Sequence, residues 1–520
     1  MSSQNSPRRS RREFLASCVA CAGCAACGLK SKSLLAASPL KKQCCQRPPR
    51  IRLVFCETSN NSPIWPNLGY DFDARRRQLL ELLKEGCPEL EFLPSRLMDR
   101  PQDADNVLAK DSEVDGYIIF LQGLGWRNDI PKLCTTGKPT LIFDNLFGGS
   151  GKLLTTLQGI MSSGQPVDWI ASSKDEHLVK MARQFLLLQR GKSAEEVAEA
   201  FRKTRRALTP HINDWHTRKD SVPEPDFDAA LKELRRTSIV VVGGGWGGDY
   251  FRKAAYDLLG LKFIPVKFEE LSAAYEQADE KAAKKFAESW AQGAEKIVEP
   301  SQEDIFKGGK MAVAMRQLMK KYQAQGISVN CLGGFYGGHL KAYPCLGFSQ
   351  FNNELLVGGC ESDQMSALTM MTVSRLFGRP GFISDPVIDV SRAAIIYAHC
   401  VATTKPFGPD GPTNAYRIRS HSEDRRGACV QSLFPVGYLV TTLEINPVSK
   451  KVIVHQGKTI GNNFSDMACR TKVEAAVKGD VEKLAESWSM GWHRVTFVGD
   501  LLEPLKELCE RLKLELIYEA

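Results

Sequence analysis

Short apolar runs recur at 51–55, 117–121, 139–143 and 168–171, with helix-like stretches such as 75–84 between them. Strands that alternate with helices imply a parallel sheet in which the helices are the crossovers. The segment 176–206 is charged and helical in period, and Ser221-Val222-Pro223-Glu224-Pro225-Asp226 breaks the chain after it, which sets a boundary near 235. The pattern then restarts, with strand-like runs at 237–242, 261–267, 327–331 and 355–360 and helices predicted over 273–291, 302–325 and 364–377. Beyond about 400, runs such as 436–446 and 451–456 alternate and are joined by Asn, Pro, Ser and Lys turns, which predicts an antiparallel β region. A strand at 494–498, a helix at 502–512 and a strand at 514–518 finish the chain. The expected fold class is α/β. A leader and linker over 1–46 precede an N-terminal α/β domain at 47–235, a middle α/β domain at 236–400 and a β-rich, barrel-like domain at 401–520.

The leader has its own logic. Arg8-Arg9-Ser10-Arg11-Arg12-Glu13-Phe14-Leu15 precedes a weakly apolar run of small residues, the parts of a secretory signal. The paired arginines before Phe14-Leu15 identify the twin-arginine form, read by an export machinery that carries folded proteins, so the periplasm or another extracytoplasmic space is the expected location. No later stretch is long and apolar enough to span a bilayer. Hydrophobic content of 43% and charged content of 25% are those of an ordinary globular chain. The net charge of +9 shrinks once the leader's arginines and lysines are set aside, so it gives no ground for a nucleic-acid partner. Of 16 cysteines, Cys18, Cys21, Cys24 and Cys27 have a spacing that could wrap an iron–sulfur cluster, but they fall in the apolar part of the signal. Later cysteines, among them Cys87, Cys331, Cys360 and Cys469, lack paired spacing and read as small buried apolar residues.

Gly243-Gly244-Gly245-Trp246-Gly247-Gly248 follows a strand and precedes a helix, the setting of a dinucleotide-binding turn. Glu269 or Glu270 stands at the distance of a ribose ligand. A glycine-rich turn that only packs tightly fits the same pattern, and packing is the expectation here. A nicotinamide-dependent oxidoreductase is the alternative.

A distributed set of polar residues carries more. Cys360-Glu361-Ser362-Asp363 precedes an apolar helix; then come Ser384-Asp385, Tyr397-Ala398-His399-Cys400, Arg419-Ser420-His421 and Ser489-Met490-Gly491-Trp492-His493. In that order they resemble the L-fucose/L-arabinose isomerase superfamily over roughly 235–520, in particular its fucose-isomerase-like members. The resemblance implies two α/β domains and a β-rich third one. It also implies a divalent cation, usually manganese, and isomerisation of a pentose or deoxyhexose in a homo-oligomer. Aldose–ketose interconversion needs a base to move a proton between C1 and C2 and a cation to steady the enediolate.

Carried over by position, Asp363 matches an acidic ligand and base, while His421 and His493 match two histidine ligands. Glu361 and His421 join Asp363 as catalytic candidates; His399 and Asp385 complete the candidate metal set. The chain departs from the pattern at 337–343, which contains no acid where the fucose branch has a catalytic glutamate; His339 is the nearest substitute. Bland readings exist for each residue. His399 follows an apolar run and fits a hydrogen-bonded core position, and Glu361 and Asp363 fit the cap of the helix that follows. His177, His211, His216 and His455 are expected at the surface or in loops. A carbohydrate-binding protein without catalysis is the second alternative.

Overall fold

The computed structural model describes residues 47–520 apart from 101, 126–128 and 246; the leader expected over 1–46 lies outside them. Ile51, Leu53, Val54 and Phe55 are wholly buried in the strand Arg50–Cys56. That strand lies inside a parallel sheet ordered Glu91–Leu97, Arg50–Cys56, Gly116–Leu121, Thr140–Asp144, Val167–Ala171. The order reverses at Arg50–Cys56, so the loops after it and after Gly116–Leu121 diverge and leave a crevice. Asp71 caps the helix Phe72–Gly86 by accepting from the Ala74 N–H. The long helical segment predicted over 176–206 is broken: Gly191, at φ 71°, ends the 3-10 stretch Arg183–Arg190, and Ser193 and Glu196 form a capping box that starts Ala194–Leu208 anew.

The middle sheet is also parallel, ordered Val357–Gly359, Gly326–Val329, Ser238–Val242, Lys262–Val266. The helix predicted over 273–291 is two helices, because Asp279 accepts from the Ala282 N–H and caps Glu280–Gly293 separately from Phe268–Glu276. In the glycine turn, a Cβ on Gly243 would lie 2.1 Å from the Phe268 ring and one on Gly245 would lie 2.7 Å from the Gln364 amide. The turn is therefore filled by the protein's own side chains. Glu270 accepts from Tyr322 and pairs with Lys321, and so is already occupied.

The third unit closes on itself. Leu439–Asn446, Arg494–Val498, Phe382–Asp389, Ala394–His399, Thr471–Val477 and Lys451–Asn462 pair antiparallel in that order, and the last pairs back to the first. Glu515–Tyr518 adds to Lys451–Asn462 in parallel. Two barrel strands, Phe382–Asp389 and Ala394–His399, come before residue 400, where the sequence suggested a boundary. The helix Gln364–Phe377 lies on the barrel through Glu444, a buried carboxyl hydrogen-bonded to Ser366 Oγ at 2.6 Å and Thr369 Oγ1 at 2.8 Å. Arg205, fully buried, joins the first domain to the barrel side by bonding Asp168, Glu482 and Glu486. His177 and His455, expected at the surface, are buried instead: His177 meets Ser172, and His455 lies between Tyr397 and Glu519. Among the described residues, no helix is long and apolar enough to cross a membrane.

Candidate metal centre

The site begins with a strained turn. Glu361 and Ser362, directly after the strand Val357–Gly359, both have positive φ, at 59° and 51°, a region that residues with a Cβ rarely enter. The fold holds them there through Ser362, whose N–H donates to the Val329 carbonyl and whose Oγ donates to the Val242 carbonyl. Strain of this kind is stored where a side chain must be aimed. The turn directs Glu361 toward the barrel and leaves Asp363 as the cap of Gln364–Phe377.

Asp363 is fully engaged. One oxygen accepts from the N–H groups of Met365 and Ser366, and the other accepts from Ser366 Oγ at 2.9 Å and from His493 Nδ1 at 2.9 Å. Those four bonds use the four acceptor positions of a carboxylate. Asp363, a candidate ligand by sequence, thus stands behind the His493 ring. The opposite ring atom, His493 Nε2, is buried without a hydrogen-bond partner, 3.4 Å from Asp385 Oδ1 and 3.6 Å from Glu361 Oε2. A histidine gripped at one nitrogen by a carboxylate and free at the other is the arrangement that orients metal-binding imidazoles.

The surrounding groups come from three more places. Asp385, in Phe382–Asp389, accepts from Trp492 Nε1 at 2.8 Å and from Cys469 Sγ at 3.7 Å. His399 ends the strand Ala394–His399; its Nδ1 accepts from the Cys400 N–H at 2.9 Å, so in the neutral ring Nε2 carries the proton and faces Glu361 Oε1 at 3.8 Å. His399 Nε2 is itself buried without a hydrogen-bond partner, the gap to Glu361 being too long for one. Cys360, Glu361 and His399 form one group able to hold an ion, and Asp385, His399 and Cys469 another.

His421 has its own partner, Asp424, and lies within electrostatic reach of Cys400 and Glu423. Its Nδ1 pairs with Asp424 at 3.1 Å and its ring packs beside Phe335 and Tyr343. The same loop supplies Glu423, which sequence reasoning missed; it is buried and accepts from Tyr336 at 3.1 Å. His339 stacks on Phe268 and is not one of the groups around Glu361.

Electrostatics divide these groups. Burial opposes charge on Asp363 and Asp385, yet hydrogen bonds and attraction from His493 hold both below the usual carboxylate range. Burial would neutralise His493 too, but Asp363 and Asp385 keep its pKa well above the ordinary value, so a cation that binds at Nε2 must displace a proton from it. Glu361 is raised, first by lost solvation and then by the charges of Asp385 and Asp363. Glu423 is pushed up to about 8, mainly by burial. The cluster therefore holds two carboxylates kept ionised beside His493 and two carboxyls whose burial favours the neutral form.

No protein-family model matches the chain. The sulfoquinovose isomerase of Priestia aryabhattai is 24% identical over 297 residues, 55% of this chain and 65% of that protein. The sulfoquinovose isomerase of Alkalicoccus urumqiensis is 24% identical over 180 residues, 33% of this chain and 40% of that protein. The chain thus spans less than two thirds of the length of these curated relatives. A carbohydrate transporter from Acidothermus cellulolyticus, in complex with myo-inositol, aligns at 10% identity and a TM-score of 0.17, covering 63% of this chain and 87% of that one; a likeness of that size carries no argument. Over part of its length, the chain is similar in sequence to proteins named as sugar isomerases.

Proposed function

We propose that the chain is a divalent-cation-dependent aldose–ketose isomerase, with manganese held by Glu361, Asp385 and Nε2 of His493. The observation that carries this reading is the unpartnered, buried Nε2 of His493 between two carboxylates from separate elements, with Asp363 fixing the far side of the ring. Two hard oxygen donors and one imidazole suit such an ion. Bound there, it would supply the positive charge that steadies an enediolate.

The chain's own groups then account for the proton. Glu423, whose burial favours the protonated form, is matched to taking a proton from one carbon and returning it to the next. Glu423 stands in for the acid that the stretch 337–343 lacks, and Tyr336 holds its carboxyl. Asp363 is a positioning residue, and His421, tied to Asp424, steadies the loop that presents Glu423. The names of the relatives point to a sulfonated hexose as the substrate.

The test combines two measurements on purified protein. Manganese is expected to bind at one ion per chain, and the loaded protein to convert sulfoquinovose to its ketose, followed by NMR. Binding without conversion of any aldose would leave a carbohydrate-binding protein, and absence of both would remove the reading.

A further inference from the structure

Two cysteines meet at the base of the strained turn. Cys331 opens the helix Cys331–Tyr336, one residue after the strand Gly326–Val329, and Cys360 directly follows the adjacent parallel strand Val357–Gly359. Their Sγ atoms lie 3.1 Å apart, and both are buried free thiols. The sulfurs of a disulfide are ~2.05 Å apart, so closure asks for about 1 Å of approach. The backbone around the pair is already tied together. Ser328 lies opposite Gly359 and its Oγ donates to the Gly359 carbonyl at 3.2 Å, and on the other side the Ser362 N–H donates to the Val329 carbonyl. These ties bracket both cysteines, so neither strand has to slide for the bond to form.

The position gives the pair a consequence. Cys360 is joined by one peptide bond to Glu361, whose φ is 59° and whose turn is held through Ser362. Cys360, Glu361 and His399 present ligand atoms within 4.8 Å of one another. Drawing the Cys360 sulfur toward Cys331 takes it out of that group. The displacement is passed on to Glu361, because a residue with a Cβ has little room to adjust at positive φ. Ligand sets work only within about 0.5 Å of their geometry.

We infer that Cys331 and Cys360 are a redox-modified pair, which peroxide converts to a disulfide that weakens cation binding at Glu361 and which a thiol reductant restores. In the first step one sulfur attacks peroxide, the O–O bond breaks, and a sulfenic acid and one water result. The second thiol then attacks that sulfur, the S–S bond forms, and a second water leaves. Two thiols are oxidised and one peroxide is reduced to two waters. Hydrogen peroxide is close to water in size, and 28% of the Glu361 side chain is exposed, which brings solvent to the residue beside Cys360. The bond to Cys331 and burial hold the Cys360 thiol well above its ordinary pKa, so the pair responds to sustained exposure and not to a brief pulse. The pairing stands on geometry alone; its effect on the ion rests on the reading of Glu361 as a ligand.

The experiment exposes the purified full-length protein to hydrogen peroxide for hours, removes the peroxide, and compares reduced, oxidised and re-reduced samples by peptide mapping and manganese titration. The oxidised sample is expected to yield a cross-linked Cys331–Cys360 peptide and to bind manganese about 10- to 100-fold more weakly, and dithiothreitol to reverse both. Cys331→Ala is expected to leave manganese binding of the untreated protein unchanged and to make it insensitive to peroxide. Should that variant not fold, recovery of the unaltered protein with dithiothreitol decides, since oxidation beyond the sulfenic acid is not reversed by a thiol. The inference is overturned if Cys360 stays a free thiol, if the bond maps to Cys400 with Cys429 or Cys469, or if the Cys331–Cys360 bond leaves manganese affinity where it was. A reduced protein that binds no manganese removes the isomerase reading, while the cross-linked peptide still decides the pair.

Discussion

Buried acids in the first domain and at the barrel end are treated in opposite ways. In the first domain two of them have arginines: Glu57 is gripped by Arg76 and Arg96, and Asp168 accepts from Arg205 at 2.9 Å, while Asp144 accepts only from backbone N–H groups such as that of Ser150 and is pushed up to about 7 by burial. At the barrel end, Glu361, Asp385 and Glu423 sit together, and among the described residues no lysine or arginine pairs with any of them; Glu361 and Asp385 face histidines and Glu423 a tyrosine. The first pattern closes its charges and leaves nothing to bind. The second keeps a surplus of negative charge, which is stable only if a cation or protons fill it. The same residue type is thus neutralised by a cation in one place and left without one in the other, and its counter-charge is what distinguishes the two.

The strongest way to break this comparison is Glu423→Gln. If the barrel-end acids do proton work, turnover should fall about 10^2- to 10^4-fold. Unfolding in urea should show no loss of stability, because a buried carboxyl without a cation is replaced by a neutral amide. Undiminished turnover would place Glu423 with the structural acids. Next in size, Arg205→Met should cost about 3 to 5 kcal/mol of unfolding free energy in urea, since Asp168 is left buried without its cation. The folded fraction should still take up manganese. A loss of manganese binding at unchanged stability would reverse the assignment of the two regions. The smallest effect is that of Asp363→Asn, which keeps the helix cap but no longer grips His493 as a charge. Manganese affinity should weaken about 10- to 100-fold, read by titration, with the helix content unchanged. An unaltered affinity would mean that the His493 ring is positioned by something else.

Much of this was legible in the sequence where a local signal existed. Asp363 at one end and Gly378, at φ 60°, at the other fix the helix Gln364–Phe377 at the bounds its sequence predicts. The strand Arg494–Val498 and the helix Leu502–Leu512 follow from equally local patterns. What could not be read is what depends on closure of the barrel. Phe382–Asp389 and Ala394–His399 look like the end of the middle domain, since nothing in their composition says which partners they pair with. Glu423 escaped notice because it follows His421 by two residues in a run read for its histidine. Trp492, one residue before His493, is a donor to Asp385 only once two strands meet. The stacking of His339 on Phe268 shows the converse, a residue whose chemistry suggested the site and whose packing answers for it.

One contact ties the two regions together. A Cβ on Gly151, in the first domain, would lie 2.4 Å from the Trp492 ring, and Trp492 in turn donates to Asp385. The indole therefore works as a feeler gauge between the domains. Anything that lifts the helix Gly151–Ser162 away lets Trp492 follow, and Asp385 then loses a donor and holds its negative charge less tightly. By reciprocity, a cation that settles on Asp385 must favour whichever spacing of the domains keeps Trp492 in place, so docking and ion affinity are a single equilibrium seen from two ends.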